Sequence, residues 1–73
     1  MNLTGEEAVQ AAHYLSQQTG VNWNDLNPTE RVGYISLVED LAKQIDVKHT
    51  PEAVEVFMVW MGKEPNESQI QVR

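Results

Sequence analysis

Three helix starts are written into this chain, and they leave room for little else. Thr4-Gly5-Glu6-Glu7, Asn27-Pro28-Thr29-Glu30 and Thr50-Pro51-Glu52 each set a favoured N-cap residue ahead of a helical run. In the first, the Thr4 hydroxyl can accept from the amide of Glu7 while the Glu7 carboxylate reaches back to the amide of Thr4. Leu3 and Ala8 flank this capping box as a hydrophobic staple. The other two starts carry proline at the first helical position, where its missing donor costs nothing, and Glu30 completes a second box. Gly20 and Gly62 stand where the first and third helices need a left-handed stop. In 73 residues these marks predict an all-α fold, a compact three-helix bundle with helices over about 4–19, 28–46 and 51–61. A single domain over 1–62 is then followed by a flexible, disordered tail over 63–73.

The faces of these helices differ. Ala8, Ala11, Ala12 and Leu15 recur at helical spacing and make a narrow stripe of mostly small side chains, which lets another helix come close. Val21 is placed to fold back onto Leu15. The connector 21–27 carries two large apolar residues, Trp23 and Leu26. Trp23 reads as a plug tucked under the bundle, with an exposed binding Trp as the alternative. In the second helix Tyr34, Leu37, Val38, Leu41 and Ile45 share one face; Ser36, Glu39, Asp40, Lys43 and Gln44 share the other. Glu39 and Lys43 sit four apart in the favourable order. So clear a division predicts that this helix is central. Gly33 within it costs about 1 kcal/mol relative to Ala, so it is expected to admit a close neighbour, with the alanine stripe as the candidate.

The third helix is the unusual one. Between Ala53 and Met61 its only polar residue is Glu55. On a helical wheel Glu52, Glu55 and Lys63 mark the wet side, while Ala53, Val54, Phe57 and Met61 face inward with Trp60 at the boundary. Val59 falls in the middle of the wet side, flanked by Val56 and Met58. A helix apolar almost all round is buried on several sides or presents an adhesive surface, and a chain this short cannot surround it. Val-Glu-Val-Phe-Met-Val-Trp-Met would also suit a strand, but the Thr-Pro-Glu start and the lack of a partner strand favour helix. In the tail, Ile70 and Val72 alternate with polar residues; this suits either fraying or the addition of a strand to a partner's sheet.

Charge narrows the partners. Eleven acids against five bases give a net charge of −6, which disfavours broad contact with nucleic-acid phosphates or anionic membranes. No apolar run approaches the roughly 18 residues of a membrane span. With no signal-like segment and no cysteine, the expectation is a cytoplasmic protein (a host cytoplasm if phage-encoded) that does not engage a membrane. Catalytic chemistry is not legible. His13 and His49 have no second ligand at metal spacing and read as solvated, and no phosphate loop or nucleophile elbow occurs. The carboxylates are spread over wet faces rather than paired in an apolar setting. The chain therefore reads as a non-enzyme that uses no cofactor and no metal.

His13-Tyr14, Thr19-Gly20, Trp23-Asn24-Asp25-Leu26, Glu30-Arg31 and Tyr34 form a pattern, W-x-x-L followed by E-R-x-x-Y, across residues 13–34. In this it resembles small helical proteins of bacteriophages and prophages. The resemblance implies a phage or mobile-element origin and, with it, a protein that occludes a host enzyme. Those look-alikes have no assigned activity, so no functional residue is carried over.

The leading expectation is a small acidic protein-binding module, an inhibitor or modulator of a host or bacterial protein complex acting through the third helix. Its contact residues are Val56, Met58, Val59 and Trp60, framed by Glu52, Glu55 and Lys63. One alternative is a homodimer pairing through the same helix. Another is nucleic-acid mimicry by the acidic faces. Direct DNA reading fares worst, because residues 28–45 offer only Arg31 and Lys43 as bases against Glu30, Glu39 and Asp40.

Overall fold

The computed structural model describes residues 1–63; the predicted tail beyond Lys63 lies outside the described residues. The order of elements is α1 (Gly5–Gln18), one 3₁₀ turn (Trp23–Asp25), α2 (Pro28–Lys43) and α3 (Pro51–Met61). The all-α three-helix expectation holds, and no strand occurs among the described residues.

Each start is capped as its sequence demands. The amide of Glu7 donates to Thr4 Oγ1 at 3.2 Å and the amide of Thr4 donates to Glu7 Oε1 at 2.9 Å. Asn27 and Glu30 repeat the exchange at 2.8 and 3.0 Å, and Thr50 Oγ1 accepts from the amide of Ala53 at 3.1 Å. Gly20 and Gly62 take positive φ, 84° and 120°. Behind them the amide of Val21 donates to the Ser16 carbonyl at 2.8 Å, and the amide of Lys63 to the Met58 carbonyl at 3.0 Å. These bonds use carbonyls that a helix end leaves unpaired.

α2 has no glycine stop. The ammonium group of Met1 lies there instead and donates to Ala42 O in the last turn at 2.9 Å and to Ile45 O just beyond the helix at 2.7 Å. A positive group there also complements the negative end of the helix dipole. The amide of Ile45 turns back to the Ala42 carbonyl, so α2 ends at Lys43 rather than at the expected 46.

The central helix is α1, not α2. Both α2 and α3 pack on α1, and their backbones come close to one another almost nowhere. Ala8, Ala11, Ala12 and Ser16 are completely enclosed, and the Ser16 hydroxyl is satisfied by the His13 carbonyl at 2.9 Å. Small side chains leave room for a neighbour on each side, whereas the large side chains of α2 mark a helix with a single docking face. Val38, Ala42, Phe57, Met58 and Met61 complete the core, with Tyr34, Ile35, Leu41 and Ile45 packed at its edge. Leu37, expected inside, is 48 % exposed, and the buried arc of α2 centres on Val38 and Ala42. Gly33 is exposed as well, and a Cβ there would meet nothing within 4 Å. The expected close neighbour is not present.

Trp23 is half-buried against the core, as the plug reading requires. The His13 ring stacks on it at 5.8 Å, the Tyr34 ring meets it edge-on at 6.4 Å, and the Arg31 guanidinium lies 5.5 Å from its centroid. Arg31 Nε also donates to the Trp23 carbonyl at 3.3 Å, and Tyr34 shares a hydrogen bond with Thr19 at 3.1 Å. His13, Thr19, Trp23, Arg31 and Tyr34 thus form a clip joining the end of α1 to the start of α2.

Candidate protein-binding surface on the third helix

α3 touches the rest of the molecule along one side, that of Val54, Phe57, Met58 and Met61. Gly62 holds its end against α1: a Cβ at this position would lie 2.8 Å from the Tyr14 carbonyl oxygen and 3.1 Å from Gln18 Cβ. What remains faces outward. Trp60 is 58 % exposed, Val56 48 % and Val59 38 %. Glu52 and Glu55 are exposed beside them, and Lys63 is half-buried.

Met58 does not belong to this surface. It is 4 % exposed and part of the core. Because the backbone of α3 lies closest to α1, its buried arc is turned toward Met58 and away from Ala53 and Trp60. Of the seven residues expected to contact a partner, Met58 is buried, while Glu52, Glu55, Val56, Val59 and Trp60 are exposed and Lys63 is half-buried.

The charged frame is partly internal. Lys63 donates to both oxygens of Glu55, at 2.8 and 2.7 Å. That bond holds the Lys63 ammonium above its ordinary pKa. The pair lies in solvent, where screening weakens it, but it occupies Glu55. Glu52 has no ion-pair partner among the described residues.

Beside the strip lies a groove of about 290 Å³. Ala53, Val56, Phe57 and Trp60 of α3 line it together with Ile45, Val47 and Met1, and Glu52 is the only one of its lining residues with a charged side chain. Val47, Ile45 and Met1 were not expected at the site. Val47 stands alone between Asp46 and Lys48, so no periodicity marks it, and it is 48 % exposed. Met1 is brought there by its ammonium bonds to the end of α2.

The connector carrying Val47 is fastened to α1 by His49, whose Nε2 lies 2.8 Å from Glu7 Oε1. The Thr4 backbone amide and then His49 hold the Glu7 carboxyl below its ordinary pKa. His49 is exposed yet bonded, and His13 is exposed yet stacked, so neither is simply solvated. Among the described residues no group of three or more His, Cys, Asp or Glu gathers as a metal site. No helix there is long and apolar enough to cross a membrane.

At about 290 Å³ the groove lies at the small end of ligand pockets, which run to about 1,000 Å³ and orient their ligands with several convergent polar groups. With one carboxylate at its edge, this one suits an apolar side chain. The sequence matches no protein-family model, and neither a curated protein nor a solved structure matches it.

Proposed function

We propose that this chain is a small protein-binding module whose contact surface is the outer side of α3 together with the adjoining groove. The observation that carries the reading is Trp60, 58 % exposed and flanked by Val56 and Val59 on a helix whose opposite side already supplies the core. Leaving a Trp in water forfeits apolar burial of a kind that a partner can recover, and exposed aromatic residues of this sort are common energetic centres of interfaces. Occlusion of a site on a larger protein complex is the mode of action that suits so small a binder.

The scaffold supports this division of labour. The caps, the Gly20 stop and the Trp23 clip hold α1 and α2 without using Val56, Val59 or Trp60. Replacing Val59 with Glu should therefore abolish capture of the partner from a lysate of the native cell, while far-UV circular dichroism stays unchanged. Undiminished capture of the same protein by that variant would sink the proposal.

A further inference from the structure

Resting on that reading, we infer that the partner segment is a basic amphipathic helix that seats one or two apolar side chains in the groove between Val47 and Trp60 and sets a Lys or Arg beside Glu52. Three observations bear on the occupant. The groove is walled by Ile45, Val47, Val56, Phe57 and Trp60 and holds about 290 Å³, room for one or two large apolar side chains. Among its lining residues Glu52 alone has a charged side chain, while the neighbouring Glu55 is taken up by Lys63. The whole chain carries a net charge of −6, so a positively charged partner is drawn in and a negatively charged one is repelled.

The same observations count against a second copy as the occupant. Two chains of charge −6 repel each other. The observations also count against a small metabolite, for which the groove offers no set of convergent donors and acceptors. A helix answers the geometry because its apolar side chains at i and i+3 or i+4 can enter a groove while residues one turn away meet the rim.

Two synthetic peptides test this against the full-length protein. Both are blocked at their ends, about four to five turns long, with leucines on one helical face. One carries lysines on the flanking positions and the other carries glutamates. Binding is followed by two-dimensional NMR of the isotope-labelled protein at low and high salt. The lysine peptide should shift the amides of Val47, Ala53, Val56 and Trp60 and bind about three- to tenfold more tightly than the glutamate peptide. The advantage should shrink at high salt, and Glu52→Gln should remove about half or more of it.

Equal affinities, a preference for the glutamate peptide, no binding by either, or shifts clustered at Leu37 instead would each overturn the inference. So would sedimentation showing a dimer in which the groove is covered. The two readings fail separately. If Val59→Glu abolishes capture of the native partner but the lysine peptide has no advantage, the α3 surface stands and the basic helix does not. If Val59→Glu leaves capture intact, both fall.

Discussion

Gly62→Ala is the substitution to which this fold should be most sensitive for its size. Two effects add. Gly62 sits at φ 120°, where an L side chain is strained by roughly 1–2 kcal/mol. Its new methyl group would also lie 2.8 Å from the Tyr14 carbonyl oxygen, which is backbone of a packed helix and can yield only if α3 shifts away from α1. Such overpacking costs about 1–3 kcal/mol. Against this, the lower entropy of the unfolded chain returns about 0.4–1 kcal/mol. The net expectation is a loss of about 2–4 kcal/mol. For 73 residues the whole stability is on the order of 4–11 kcal/mol. At about 4–8 °C per kcal/mol, Tm should fall by roughly 8–30 °C. Gly20→Ala is the internal control, because Gly20 also has positive φ, 84°, but a Cβ there meets nothing within 4 Å. It should lose only about 1 kcal/mol. Urea unfolding followed by circular dichroism measures both. If the two variants agree within about 0.5 kcal/mol, the end of α3 does not lie against the Tyr14 carbonyl, and the packing described for α3 is wrong.

Other positions give opposite or graded outcomes. Gly33→Ala should stabilise by about 1 kcal/mol, since the helical cost of glycine is removed and no neighbour is displaced; a loss measured in the same urea experiment would mean that something does pack there. Met58→Ala should cost about 2–4 kcal/mol and Val59→Ala at most about 0.5, and the reverse order would place the buried side of α3 elsewhere. Glu7, whose folded-state pKa is lowered first by the Thr4 amide and then by His49, contributes stability above the ordinary glutamate range. That contribution is lost as pH falls through the lowered value, so unfolding free energies taken between about pH 5 and 3 should decline more steeply for the parent chain than for Glu7→Gln.

What can be read from this sequence is what depends on neighbours along the chain. Thr4 with Glu7, Asn27 with Glu30 and Thr50 with Pro51 set the three helix starts, because a cap is made within four residues; Gly20 and Gly62 set two of the stops for the same reason. Which helix lies in the middle is not local. The clear two-faced pattern of α2 suggests a central role, but a centre needs small side chains on two sides, and Ala8, Ala11, Ala12 and Ser16 supply them in α1. Leu37 and Met58 were misplaced for a related reason. A wheel gives the order of residues around a helix but not the angle at which the helix docks, and that angle decides which boundary residue is covered. Half of the groove is likewise invisible in sequence. Met1 reaches it through bonds to carbonyls 41 and 44 residues along the chain, and Val47 reaches it from a connector with no period to follow. The outward strip of Val56, Val59 and Trp60 was legible because α3 has more apolar residues than one docking side can use.

The central claim, that α1 and α2 are scaffold and the outer side of α3 is the binding surface, is tested most directly by photo-crosslinking in the native cell. A benzophenone amino acid is placed singly at position 59 on α3, at 37 on α2 and at 10 on α1, all exposed in the structure. The account predicts a discrete protein adduct from position 59 and none from positions 10 and 37. An adduct from 37 or 10, with position 59 silent, would contradict it.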